Sequence, residues 1–197
     1  MYRNLIKRVL DIIISLILFP FLIVITIPIF LAIKFEDKGP VFYNANRYGK
    51  GMKEFIMFKF RSMKINAVDI RNEDGSTYNS DKDARLTRVG KFIRKTSIDE
   101  LPQLLNILKG EMSFVGPRPS PLGDKSKYPK DFFIRFEVVP GITGYNQILL
   151  RNSATLEERI KNDNFYVDHI SLGLDLNIIF ITLFSVVNSK NIYRNNN

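Results

Sequence analysis

From Ile12 to Ile33 the chain carries no charged side chain, with Asp11 and Lys34 marking the two ends of the run. At about 1.5 Å per helical residue such a stretch reaches roughly 33 Å, enough to cross a bilayer core of about 30 Å. A signal peptide fits poorly, because the run is long and no small-residue cleavage site follows it. The segment is expected to stay and to anchor the protein. Pro20, near its middle, and Pro28, one to two turns on, each remove a helix hydrogen bond and favour a bend. Basic residues stand on both flanks: Arg3, Lys7 and Arg8 before the run, and a strongly basic body after it. Both flanks then prefer the cytoplasmic side. A re-entrant helix that enters and leaves one leaflet satisfies this and a straight span does not; the alternative is a plain kinked transmembrane helix, and the residues alone leave the two open.

At 197 residues the chain is long enough to bury a real core in one domain, so neither disulfides nor a structural metal is needed for stability. It has no cysteine and a single histidine, His169. Thiol catalysis and cysteine-containing zinc sites are excluded, and a Ser-His-Asp triad would rest on one imidazole. A hydrophobic fraction of 45% with 25% charged residues excludes wholesale disorder. Chemistry here falls to carboxylates, basic groups, hydroxyls or a weakly held metal.

Beyond the anchor the pattern predicts a mostly helical α/β body with a small β-hairpin. Val41 to Asn44 and Phe55 to Phe60 read as strands, with Gly49-Lys50-Gly51 as turn material. Residues 66–83 are polar and read as a surface excursion. Leu101, Leu104, Leu105 and Leu108 fall at helical spacing on one apolar face, and Gly110 supplies the stop. Leu172 to Val187 is mostly apolar, with Asp175, Asn177 and Ser185 interspersed, and reads either as an interfacial amphipathic helix or as an ordinary core helix.

Two adjacent carboxylates open the leucine helix. Ser97-Ile98-Asp99-Glu100 matches the S-x-x-E capping box, although Pro102 fits a start nearer Asp99 better. Asp99 and Glu100 either complement the helix dipole or form a site. Arg94 and Lys95 precede them, and carboxylates held ionised among cations suit a nucleophile or a magnesium-bound phosphate compound. Downstream, Arg118 stands in the rigid turn Gly116-Pro117-Arg118-Pro119, where a guanidinium can fork onto phosphate oxygens. Pro140-Gly141-Ile142-Thr143-Gly144 makes a second stiff turn, followed by Gln147 and Arg151.

Three strings resemble the bacterial sugar transferase family, the monotopic phosphoglycosyl transferases: KFRSM (Lys59 to Met63), RLTRVGKFIRKTSIDELPQLLNILKGEMSFVGPRP (Arg85 to Pro119) and PGITGYNQ (Pro140 to Gln147). The likeness covers nearly the whole chain. It implies a re-entrant membrane helix over residues 1–36, broken at Phe19-Pro20, and a cytoplasmic catalytic domain over residues 37–197 with interfacial amphipathic helices. It implies Asp99 as a nucleophile that attacks a UDP-sugar, releasing UMP and forming a phosphosugar-aspartate, with Glu100 helping to hold Mg²⁺ and Asp99 a further candidate ligand. Undecaprenyl phosphate would then take the sugar phosphate at the cytoplasmic face of the bacterial inner membrane, ahead of downstream glycosyltransferases. Lys59, Arg61, Arg94, Arg118 and Arg151 are the expected phosphate-binding residues. An N-acetylated hexosamine, common in the family, is the expected sugar.

The chain departs from the family pattern at Val139, where an arginine is usual, at Tyr145 in place of tryptophan, and at Leu149-Leu150, where Asn-Gly usually precedes the arginine kept as Arg151. Phe19 replaces the serine before the membrane-helix proline, so no serine hydroxyl shapes the bend. The basic balance, with a formal charge of +9, also fits nucleic acid; the apolar run and the lack of a nucleic-acid motif argue against that partner. A membrane-anchored basic scaffold or inactive relative facing anionic lipid is the remaining alternative, and the presence of both Asp99 and Glu100 speaks against it.

Overall fold

A stripe of five buried residues along the first helix joins the apolar run to the rest of the protein. Helix α1 (Lys7–Asp37) follows a short π-helical lead, Tyr2–Ile6, and remains helical through Pro20 and Pro28. The computed structural model describes residues 1–68, 70, 80, 83–123, 125–126, 128–150 and 153–187. The break expected at Phe19-Pro20 is therefore absent from the helix itself. Each proline deletes only one rung of the ladder, and Phe19 offers no hydroxyl to compete for a backbone carbonyl.

Asp11, Ser15, Leu22, Ile29 and Ile33 form the buried stripe. Its apolar members pack in one core with Val41, Phe60, Ile93, Leu104, Ile107 and Met112. The opposite surface of α1, including Ile13, Ile17, Phe21, Val24, Ile27 and Phe35, is exposed. Both ends of the helix are tied to the same body. Near its start the Arg8 guanidinium donates to the Ile107 and Leu108 carbonyls, and Asp11 accepts from the Ser113 hydroxyl and the Phe114 amide, both at 3.1 Å. At its end Glu36 accepts from the amides of Arg88 (2.6 Å) and Val89 (3.0 Å), while Asp37 takes the Arg61 guanidinium.

The expected hairpin is present and longer than its apolar signal. β1 (Phe42–Tyr48) pairs antiparallel with β2 (Glu54–Phe60), in register from Phe42 opposite Phe60 to Tyr48 opposite Glu54. Gly51 in the turn has φ +63°, where a side chain is strained. After α2 (Arg88–Lys95), a 3-10 segment (Ile98–Gln103), α3 (Leu104–Lys109) and β3 (Ser113–Val115), a short β4 (Ser120–Pro121) pairs with β1, giving the order β2-β1-β4. The open edge of β2 is covered by one side chain: Asn106 accepts from the Phe58 amide (3.0 Å) and donates to the Ile56 carbonyl (2.7 Å) and to Glu111 (2.7 Å). Asn106 is fully buried. Asn106→Ala is expected to strand these partners at a cost of about 3 kcal/mol, lowering the thermal midpoint by roughly 6–12 °C; a shift under about 1 °C would show that water serves the edge equally well.

A 3-10 helix (Lys130–Glu137) leads to β5 (Gly141–Thr143), which runs parallel to β3, a pairing the sequence pattern does not announce. The two backbones meet so closely that a Cβ on Gly141 would lie 2.1 Å from the Gly116 nitrogen. α4 (Tyr145–Leu149), α5 (Leu156–Asp168) and α6 (Leu172–Val187) complete the described chain. A capping box does form, but at α5: the Glu158 amide donates to Thr155 Oγ1 and the Thr155 amide to Glu158 Oε2. α6 combines its two expected characters. Ile178 is fully buried, whereas Leu172, Leu176, Phe180, Leu183 and Phe184 are exposed along the other side. Its Asp175 accepts from Tyr2 (2.6 Å), Lys7 (2.6 Å) and Tyr166 (2.8 Å), latching α6 to α5 and to the start of the membrane-type helix. Most of the polar stretch 66–83 lies outside the described residues.

Candidate active site

Asp99 and Glu100 are placed by a sharp reversal between two helices. The Thr87 hydroxyl caps α2 by accepting from the Gly90 amide (2.8 Å), and α2 ends at Thr96. Ser97 then adopts the left-handed conformation, φ +58°, and makes no side-chain cap. The capping box expected at Ser97 is thus not formed, because a left-handed residue turns its side chain away from the amides it would cap. The next six residues stay 3-10: Pro102 has no amide hydrogen, and its ring would crowd the Ile98 carbonyl in an α-helix. A 3-10 turn advances fewer residues than an α turn, so the leucine face is rotated. The inward side carries Gln103, Leu104, Asn106 and Ile107, and Leu105, expected inside, is exposed; the expected stop at Gly110, φ +85°, is in place.

Strand β2 presents Lys59 across from this segment, and the turn after β3 presents Arg118. Lys59 Nζ donates to Glu100 Oε1 at 2.6 Å, and Arg118 Nη2 donates to the same oxygen at 3.0 Å. Asp99 is buried, 6% exposed, and among the described residues no group donates a hydrogen bond to its carboxylate. Burial pushes the Asp99 carboxyl up to about 6; the Lys59 charge opposes this, the Glu100 carboxylate adds to it, and Arg94 and Arg118 oppose it further. Burial works against the Glu100 carboxylate too, yet the charges and hydrogen bonds of Lys59 and Arg118 prevail and hold it down at about 2. Two neighbouring carboxyls are thereby driven apart, a pattern that assigns them different tasks.

The sign of the Asp99 shift can be checked through stability. A carboxyl whose native pKa lies above the unfolded value of about 3.9 favours the fold when protonated and opposes it as pH rises through 6. In EDTA at pH 7.5, Asp99→Asn is therefore expected to be more stable than wild type by about 2–3 kcal/mol, and the difference should close as pH falls to 4. A pH-independent difference in thermal midpoint would refute the shift.

Of the other expected phosphate-binding residues, Arg94 acts on Asp99 through its charge and keeps Nη1 buried with no hydrogen-bond partner among the described residues. Arg61 is engaged at the end of α1. Its guanidinium is engaged by both oxygens of Asp37 and by the Pro40 and Met63 carbonyls, which take four of its five N–H donors, so it clamps the end of α1 to β2. Arg151 lies outside the described residues. One residue supporting the site was not anticipated. Arg135 Nη2 donates to the Arg118 carbonyl at 2.6 Å, pairs with Asp163 at 3.1 Å and lies over the Phe132 ring, so it fixes the turn that carries Arg118. The only hint was a single arginine inside the aromatic run Phe132 to Phe136.

Among the described residues no cluster of three or more His, Asp or Glu side chains could hold a metal. The Asp99 carboxylate and the second oxygen of Glu100 make a smaller donor set, three hard oxygens with no hydrogen bond among the described residues. Such a set fits Mg²⁺, which usually takes one or two carboxylates and completes its shell with water and substrate phosphate.

Comparison with known proteins shows the family to which the chain belongs. The family model described as bacterial sugar transferase matches residues 2–189. The chain is 38% identical over 188 residues to the UDP-N-acetylgalactosamine-undecaprenyl-phosphate N-acetylgalactosaminephosphotransferase of Aeromonas hydrophila, covering 92% of this chain and 44% of that protein. It is 40% identical over 195 residues to the UDP-glucose:undecaprenyl-phosphate glucose-1-phosphate transferase of Klebsiella pneumoniae, covering 95% and 41%. An uncharacterized sugar transferase of Bacillus subtilis (strain 168) is 39% identical over 190 residues, covering 96% and 91%. The chain thus spans less than half the length of the first two and nearly the full length of the third.

Proposed function

Because this chain belongs to the bacterial sugar transferase family, we propose that it moves a sugar-1-phosphate from a UDP-sugar to undecaprenyl phosphate through an Asp99-bound intermediate. The observation that carries this reading is a buried aspartate, free of hydrogen bonds among the described residues, with Lys59, Arg94 and Arg118 around it. With a pKa near 6, Asp99 is largely ionised at pH 7 and, unlike Glu100, is not occupied by cations in direct contact.

In the first step an Asp99 oxygen bonds to the sugar-bearing phosphorus. The bond from that phosphorus to the bridging oxygen breaks, and UMP leaves with the electron pair. In the second step a phosphate oxygen of undecaprenyl phosphate attacks the same phosphorus and the Asp99 carboxylate departs, giving undecaprenyl diphosphate-sugar. No proton transfer is needed at Asp99 once it is ionised. Arg118, whose side chain is 49% exposed, can turn its guanidinium onto the diphosphate while Arg135 holds its backbone. Lys59 and Arg94 keep the field positive where phosphate charge accumulates. Glu100, with Asp99, would hold Mg²⁺, which when bound supplies charge neutralisation on the diphosphate.

The donor is water-soluble and the acceptor lipid-bound, so the site belongs at a membrane surface. α1 and α6 carry exposed apolar faces of a kind that soluble proteins cover. The attachment of both ends of α1 to one body supports residues 1–36 as a re-entrant element, at the cytoplasmic face of the bacterial inner membrane, over a straight span with a soluble body on one side. The reading is tested by incubating the full chain with a panel of UDP-sugars, undecaprenyl phosphate and Mg²⁺. Acceptor-dependent UMP release with formation of a lipid-linked sugar diphosphate is expected, and the active donor assigns the sugar. Release of UDP in place of UMP would overturn it.

A further inference from the structure

We propose that the cleft between the start of α1, the β1–β2 turn and the segment entering β5 binds a phosphate-ester anion, at a site separate from Asp99 and Glu100. The cleft has a volume of about 280 Å³, roughly nine times the ~30 Å³ share of a water molecule in the liquid. That is room for a phosphate together with a small alcohol.

Its charge is one-sided. Arg3, Lys7 and Arg8 of the α1 region and Lys50 of the turn line it, against only Asp11 and Glu137. Asp11 already accepts from the Ser113 hydroxyl and the Phe114 amide. Lys7 and Arg8 are cations held in fixed positions by Asp175 and by the α3 carbonyls. An ammonium has three donors and Asp175 engages one of them, so Lys7 has hydrogen bonds to spare for a ligand. Arg3 meets Glu137 only across 3.6 Å, with both side chains well exposed; such a pair contributes little and yields readily to a stronger anion. Lys50 is exposed and has no ion-pair partner among the described residues. Asn4 adds an amide to the wall. Two ordered and two adjustable cations around one cavity are what a phosphate dianion or diester requires.

The cleft is distinct from the catalytic pair, since none of its four cations is among the charges that act on Asp99 or Glu100. Its height suits a lipid headgroup. Directly beyond Arg8, α1 turns out Val9, Ile13, Leu16 and Ile17, all exposed, so a run immersed in lipid leaves the cleft at headgroup level. The lipid as the source of the anion rests on the membrane reading above; the anion site does not. An anion held there bridges Lys50 of the hairpin to the start of α1 and fixes how the catalytic body sits on an anionic leaflet.

Native mass spectrometry of the full chain, released from detergent with phosphatidylglycerol or phosphatidylcholine, tests this. One phosphatidylglycerol should be retained in preference to phosphatidylcholine, and R3Q with K50Q should reduce its retention at least fivefold while the thermal midpoint and sugar-phosphate transfer stay near wild type. Displacement by millimolar glycerol-1-phosphate would assign the site to a soluble phosphate ester; retention against it assigns the membrane lipid. Equal retention of the two lipids, or an unchanged double variant, overturns the proposal whether or not the chain transfers sugar phosphate. A wild type that retains the anionic lipid but transfers nothing would count against the transferase reading alone.

Discussion

Asp99→Asn should lower the turnover number for sugar-phosphate transfer by about ten-thousand-fold or more, with the protein still folded and at least as thermally stable as wild type. Asparagine keeps the volume and shape of the buried side chain but offers an amide that does not attack phosphorus, so the loss falls on chemistry and not on folding. Removing the nucleophile of a covalent mechanism costs rate on this scale because the remaining groups still bind substrate but have no bond to make. The contrast with Glu100→Gln sharpens the assignment. Glu100 gathers Lys59 and Arg118 onto one oxygen, so its neutralisation disturbs charge placement without deleting the attacking atom, and a smaller loss of about a hundredfold to a thousandfold is expected, the scale of one electrostatic stabiliser. Turnover of the Asn variant within tenfold of wild type would remove Asp99 from the attacking role.

The largest stability effect is expected far from the catalytic pair. Asp175→Ala should lower the thermal midpoint by roughly 10 °C, from a loss of about 3–5 kcal/mol for breaking a buried charge pair. The carboxylate is only 3% exposed and collects the Lys7 ammonium and the Tyr2 and Tyr166 hydroxyls. Burial, with the Asp175 charge, raises the Tyr166 pKa well above its ordinary value, so the phenol remains a donor throughout the working pH range. Truncation leaves the half-buried Lys7 ammonium and Tyr2 hydroxyl and the buried Tyr166 hydroxyl without their acceptor, and it unlatches α6 from the start of α1. Asp175→Asn keeps an acceptor but not the charge, and an intermediate midpoint is expected. If Asp175→Leu combined with Lys7→Met regains stability over the single alanine variant, the cost lies in the stranded charge; a midpoint within 2 °C of wild type for the alanine variant would show that water enters and replaces the latch.

Much of the frame was legible because it depends on local chemistry. Two apolar patches separated by Gly49-Lys50-Gly51 marked the hairpin, and Gly110 ended its helix; the guanidinium of the rigid turn at Arg118, expected on phosphate oxygens, donates to Glu100. What escaped prediction depends on tertiary encounters. Arg61 and Arg118 are the same residue type, and only the arrival of Asp37 at the end of α1 turns the first into a clamp. Asn106 carries no signal of its own in the sequence; its role comes from the bare edge of β2 lying against it. Leu105 was misplaced because Pro102 holds the preceding turn at 3-10 pitch and shifts the phase of every residue after it. Asp175 looked like a polar break in an interfacial helix, since its partners lie at the other end of the chain. Arg135 acts through the Arg118 carbonyl, a contact that no spacing rule encodes.

The covalent step is tested most directly by peptide mass spectrometry on the full chain incubated with its UDP-sugar and Mg²⁺ but no undecaprenyl phosphate, then acid-quenched. A mass increase equal to one sugar phosphate on the Asp99 side chain, lost when acceptor is added before quenching, is the predicted result. An unmodified Asp99 peptide under conditions in which complete reactions form lipid-linked product would contradict it and leave a direct, single-step transfer in its place.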